Sequence, residues 1–97
     1  MIGAYLKDSV VRVVQARDVW GSASGAPVET TLKARIERHS RVVRDFAGVE
    51  VLSSGSVLLL IEPDAADKLR FDGRDHTIVA IRERASWTSS HYEVFVV

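Results

Sequence analysis

Three histidines, His39, His76 and His91, and two carboxylates, Asp45 and Asp75, are the residues of this chain whose types invite chemistry. Together with one of several serines they would supply a nucleophile, a base and an orienting acid. Their surroundings argue against that. No serine stands in a G-x-S-x-G elbow, and there is no glycine-rich phosphate loop. Gaps of 37 and 15 residues between the histidines match no local zinc pattern. With no cysteine, thiolate metal sites, thiol nucleophiles and disulfides are all excluded. The sequence predicts no enzyme activity, no catalytic or metal-binding residue and no cofactor.

The stretch RFDGRDHTIVAIRER, residues 70–84, sharpens the choice. Asp75 beside His76 has the look of half an acid/base pair. Asp72-Gly73 between two apolar runs is also a strong hairpin signal, because both residues tolerate positive φ. The second reading makes HTIVAIRE a core strand and gives Asp75 and His76 structural roles.

Period-two alternation recurs along the rest of the chain. SVVRVVQA, residues 9–16, is rich in β-branched residues and has the length of one strand. A glycine- and serine-bearing loop follows, and then VETTLKARIERH. There Val28, Thr30, Leu32, Ala34 and Ile36 share one face of a long strand. Asp45 to Gly48 is turn-like, VEVLS alternates, residues 53–56 turn again, and VLLLIE forms a buried strand ended by Pro63. DAADKL, residues 64–69, is the one candidate helical turn, with Asp64 as N-cap and Asp67 at N3. HYEVFVV closes the chain. The expected fold is all-β: a small β-barrel or sandwich of about seven short strands with one short helical turn, forming a single domain over residues 1–97.

Composition narrows the function. The chain has 97 residues, 46% of them hydrophobic, and 13 basic side chains balance 13 acidic ones, which argues against nucleic-acid binding through bulk positive charge. Residues 1–48 carry eight Lys/Arg and five Asp/Glu, and residues 49–97 the reverse, so the two halves differ in sign. The longest aliphatic run, VLLLI at 57–61, is far short of the roughly 20 residues that span a bilayer. MIGAYLKDSVVRVVQ has neither a basic leader nor a cleavage-site pattern. These features predict a soluble intracellular chain with no membrane partner.

An early strand, the loop VWGSASGAPVE and a strand with the run LKARIE are followed by DFAGVEVLSSGSVLL, a late G..H.I..I strand and the terminal HYEVFVV. This order of features, over nearly the whole chain, resembles the head-closure, or stopper, proteins of tailed bacteriophages, a family also called head-tail connector or minor capsid proteins. PDAADKLRFDG departs from it, since the family often has a Gly-Asp pair ahead of the late turn.

What the resemblance implies is a β-barrel that self-associates into a ring below the portal–adaptor complex. The ring closes the DNA exit channel after packaging and offers a platform to tail proteins. Such a chain belongs to the head-tail interface of the virion, and to the host cytoplasm during assembly. A loop from the middle of the barrel plugs the channel in that family, and residues 38–54 hold its counterpart here. Lys33, Arg35, Arg38, Arg41 and Arg44, set against the single Glu37, are the candidate contacts to DNA or to a partner ring. Trp20 and Trp87, in expected loops, are the candidate interface aromatics. The alternative is a small OB- or SH3-like module that binds single-stranded nucleic acid or a peptide. It would use Phe71, Tyr92 and Phe95, but the basic strip lies elsewhere in sequence.

Overall fold

A computed structural model describes residues 6–15, 26–85 and 90–97, the last residue of the middle segment by its backbone alone. Six strands are present among them: β1 Asp8–Val14, β2 Val28–Arg44, β3 Glu50–Leu59, β4 Lys68–Phe71, β5 Arg74–Ala85 and β6 Ser90–Val96. All neighbours pair antiparallel and the sheet closes in the order β1-β2-β3-β6-β5-β4, with β4 returning to β1. Of the two all-β architectures the sequence allows, the chain adopts the barrel. Closure leaves no sheet edge along the paired parts of the strands.

Alternation builds the core. Val57 and Leu59 of β3, Val94 and Val96 of β6, Ile78 of β5, Leu69 and Phe71 of β4, Val10 of β1 and Ala34 of β2 point into one buried cluster. Leu32, Ile36, Ile81 and Tyr92 pack against it from partly exposed positions. Each fully buried aliphatic side chain contributes about 1.5–3 kcal/mol relative to exposure. The inward face expected for β2 holds from Leu32 onward, whereas Val28 to Thr31 are exposed on both faces.

The Asp72-Gly73 reading holds. Phe71 pairs with Arg74 across a two-residue turn in which Asp72 has φ 53° and Gly73 φ 78°. These angles match the twist of the flanking strands.

Three local expectations are corrected. VLLLIE is a strand only as far as Leu59, and Leu60 and Ile61 beyond it are exposed. Residues 53–56 do not turn but continue β3. There the buried Ser53 hydroxyl donates to the Gly55 carbonyl at 2.7 Å, with that of Val96 also in reach at 2.9 Å. A serine whose hydroxyl finds backbone carbonyls can stay inside a strand. Residues 64–69 form no helical turn: a hydrogen-bonded turn from Asp64 to Asp67 leads straight into β4. Asp67 is the capping acceptor, since its Oδ2 receives the Asp64 N–H at 2.9 Å and the Arg12 Nε–H at 2.6 Å. The β1–β4 pairing, which sets Arg12 opposite Leu69, brings that guanidinium to the buried carboxylate.

Candidate functional site: the projecting β2–β3 hairpin

The longest strand, β2, outruns its first partner. Pairing with β1 ends at Ala34, beyond which β2 pairs with β3 to Arg44, while β3 meets β6 only from Gly55 onward. Residues 41–53 therefore form a two-stranded ribbon that continues past the barrel, consistent with a long axis of 40 Å against 29 and 28 Å for the others.

Its base is set by a bulge. Register shifts between Arg38 and Arg41, so that β2 carries one more residue than β3 there, which bends and twists the ribbon. Gly55 is required at this place for close approach, because a Cβ on it would lie 2.9 Å from the Glu37 carbonyl oxygen. Arg38 ties the base to the far side of the barrel through two hydrogen bonds to Asp72, at 2.6 and 2.7 Å. The guanidinium holds the Asp72 carboxyl below its usual range. His39 is held by Ser56, Nε2 to Oγ 3.2 Å, and lies edge-on to the ring of Phe95.

The tip is built by Asp45. Its N–H donates to the Val49 carbonyl, and its Oδ1 accepts from the N–H groups of Ala47 and Val49, all at 2.9 Å. The Gly48 N–H donates to the Asp45 carbonyl, and Gly48 supplies the positive φ of 81°. This is the turn expected at Asp45 to Gly48.

What this frame displays is apolar. Val42 and Leu52, which face each other across the ribbon, are 60% and 62% exposed, and Phe46 and Val49 at the tip are 58% and 57% exposed. Isolated exposed hydrophobics are ordinary, but four on one projecting ribbon make it the candidate contact surface. Sequence patterning misses it: Val42, Val49 and Leu52 read as strand residues, and nothing local says that the barrel ends before they begin.

The basic strip is divided by its neighbours. Arg38 is committed to Asp72, and Arg35 lies 3.4 Å from Glu37 in an exposed pair. Lys33, Arg41 and Arg44 are exposed and make no ion pair among the described residues. Trp20 and Trp87 lie outside the described residues.

The chemistry-bearing residues do not converge. His39 stands on β2, His76 on β5 and His91 on β6, and no group of three or more metal-ligating side chains gathers among the described residues. Ser56 and His39 are adjacent, but His39 Nδ1 has no hydrogen-bond partner among the described residues, so no acid orients the ring. Asp75 is bound by Arg70 at 2.6 Å, which lowers its carboxyl pKa, and Arg70 also reaches Glu29.

His76 is buried, stacked on Phe71 with ring centroids 3.8 Å apart. Burial pushes its imidazole below the usual value, helped by Arg74 and opposed by Asp72 and Asp75. A histidine that is harder to protonate in the fold than when unfolded destabilises the fold as pH falls below about 6.5, the unfolded value. Unfolding by denaturant at about pH 7.5 and about pH 5 is therefore expected to show a lower midpoint in acid. His76→Gln should flatten that difference; an equal difference in the variant would assign the dependence to other groups.

Comparison with known families yields no matching family model, and comparison with curated proteins yields no match.

Proposed function

We propose that this chain is a head-closure (stopper) subunit of a tailed phage. In this reading it forms a ring beneath the portal–adaptor complex, narrows the DNA exit channel with the β2–β3 hairpin, and presents its other end to tail proteins. The projecting hairpin is the observation that carries the reading. A barrel of this size has no folding need for a ribbon that buries only Val43 and Ser53 along residues 41–53 and exposes four large hydrophobics. The position of the hairpin, inside residues 38–54, coincides with the segment that the resemblance makes the channel loop. Arg41 and Arg44 on its stem are then the groups that meet phosphate or an acidic ring.

The binding-module alternative draws less support. Phe71 and Phe95 are buried and Tyr92 is half-buried, so none of the three offers a fully open ring face for a base to stack on.

Mass determination by light scattering, of the chain alone and then with the portal–adaptor complex of the same genome, tests the proposal. Stable addition to that complex, and none to unrelated DNA, is the expected result. Indifference to the connector together with salt-sensitive binding to single strands would sink it in favour of the nucleic-acid module.

A further inference from the structure

The molecule carries a second exposed apolar surface, at the other end of β3. Leu32, Lys33, Leu59, Leu60 and Ile61 line a shallow cup of about 190 Å³, walled almost wholly by carbon. Leu60 and Ile61 are 44% and 42% exposed there, just after β3 ends at Leu59. The hairpin tip and this cup complement each other. The tip offers a protruding Phe46 with Val49 beside it, and the cup is large enough for one aromatic ring. Charge agrees with shape: Glu50, at the start of β3 beside the tip, and Lys33, on the rim of the cup, are both exposed without an ion pair among the described residues. The two surfaces of one molecule cannot meet, because the ten residues of β3 between them span roughly 30 Å.

We propose that the hairpin tip of one copy seats in the cup of a second copy, with Phe46 filling the cup and Glu50 pairing with Lys33. The contact joins two different surfaces, so it repeats from copy to copy and closes into a ring where the rotation allows. It deepens the ring reading, on which it rests for the presence of like neighbours. It gives the hairpin a lateral role, in which the tip clasps the adjacent barrel while the stem, with Arg41 and Arg44, faces the channel.

The absence of cysteine makes the test clean. Ala47→Cys, next to Phe46 at the tip, and Glu62→Cys, next to Ile61 at the edge of the cup, both at exposed positions, are made as separate proteins, mixed, and oxidised with glutathione disulfide, alone and in the presence of the portal–adaptor complex. A disulfide forms only when the two Cα atoms come within about 7 Å. The mixed dimer, with the tip of one variant bonded to the cup of the other, is expected in clear excess over either homodimer. A statistical mixture, or a preference for tip-to-tip dimers, would overturn the contact. Glu50→Lys and Lys33→Glu should each weaken association of the cysteine-free chain about two- to fivefold, with the double exchange restoring it; failure of that rescue counts against the proposed pairing. Connector binding without the mixed disulfide defeats this contact and leaves the ring reading intact. The mixed disulfide without connector binding does the opposite.

Discussion

Replacing Phe95 with alanine is expected to cost about 3–5 kcal/mol, a large share of what a domain of this size has, and to lower the melting temperature by on the order of 15–25 °C. Phe95 is 1% exposed, yet it lies outside the main core cluster, because Val94 and Val96 on either side of it take the inward positions of β6. Its ring is on the other face of the sheet, beside its cross-strand partners Ser56 and Ala80. His39 meets it edge-on with centroids 6.5 Å apart, and the Arg82 guanidinium lies 5.4 Å from its centroid. Truncation removes the apolar body that both groups pack on, and with it a cation–π contact of about 0.5–2 kcal/mol. Because His39 sits at the bulge from which the hairpin springs, the loss should spread there. Amide exchange between residues 39 and 44 should speed up more than exchange in β4. Phe95→Leu keeps most of the volume and should recover more than half of the stability. A loss for Phe95→Ala below about 1 kcal/mol would show that this second cluster does not help hold the barrel together.

Much of this architecture is legible in the residues, and the parts that are not have a common cause. Asp72-Gly73 reads correctly because a two-residue turn with positive φ is a local demand that few residue pairs meet. The strand assignments for β1, β5 and β6 hold because β-branched and apolar runs of strand length fit a pleated, half-buried surface. Asp45 to Gly48 reads as a turn for the same local reason. Residues 53–56 misled because paired serines with a glycine are a turn signal only when their hydroxyls lack better partners, and Ser53 finds carbonyls at Gly55 and at Val96, the latter 43 residues away. The helical turn at residues 64–69 failed in a similar way: Asp67 is claimed by Arg12, 55 residues earlier, and the segment is needed to start β4. The site was half-legible. The basic strip is visible in the sequence, but Arg38 is indistinguishable there from Arg41 until a contact across 34 residues hands it to Asp72. Exposure of Val42, Phe46, Val49 and Leu52 depends on where β1 and β6 stop, which is a property of the closed barrel and of no single segment.

That division of the strip sharpens the functional prediction. Arg41→Glu combined with Arg44→Glu is expected to leave the fold intact, with stability changed by no more than about 0.5 kcal/mol for each site, because both side chains are exposed and neither makes an ion pair among the described residues. Arg38→Glu would be a poor test, since it sets a carboxylate against Asp72 and loosens the base of the hairpin whatever the hairpin does. In a ring whose stems face packaged DNA, the double reversal sets repulsion between like charges where there was attraction, and such juxtaposition costs on the order of several kcal/mol. Affinity for DNA-filled heads should fall by about 100-fold or more. The salt dependence of binding should change with it: two lost phosphate contacts lower the slope of log affinity against log salt by nearly two. Titration of purified variant and parent onto filled heads at several salt concentrations separates the cases. A weaker variant with an unchanged slope would mean that the two arginines meet a protein surface instead of DNA. Unchanged affinity and slope would take the stem of the hairpin away from the channel altogether, and would leave its apolar tip as the part of the ribbon that makes contact.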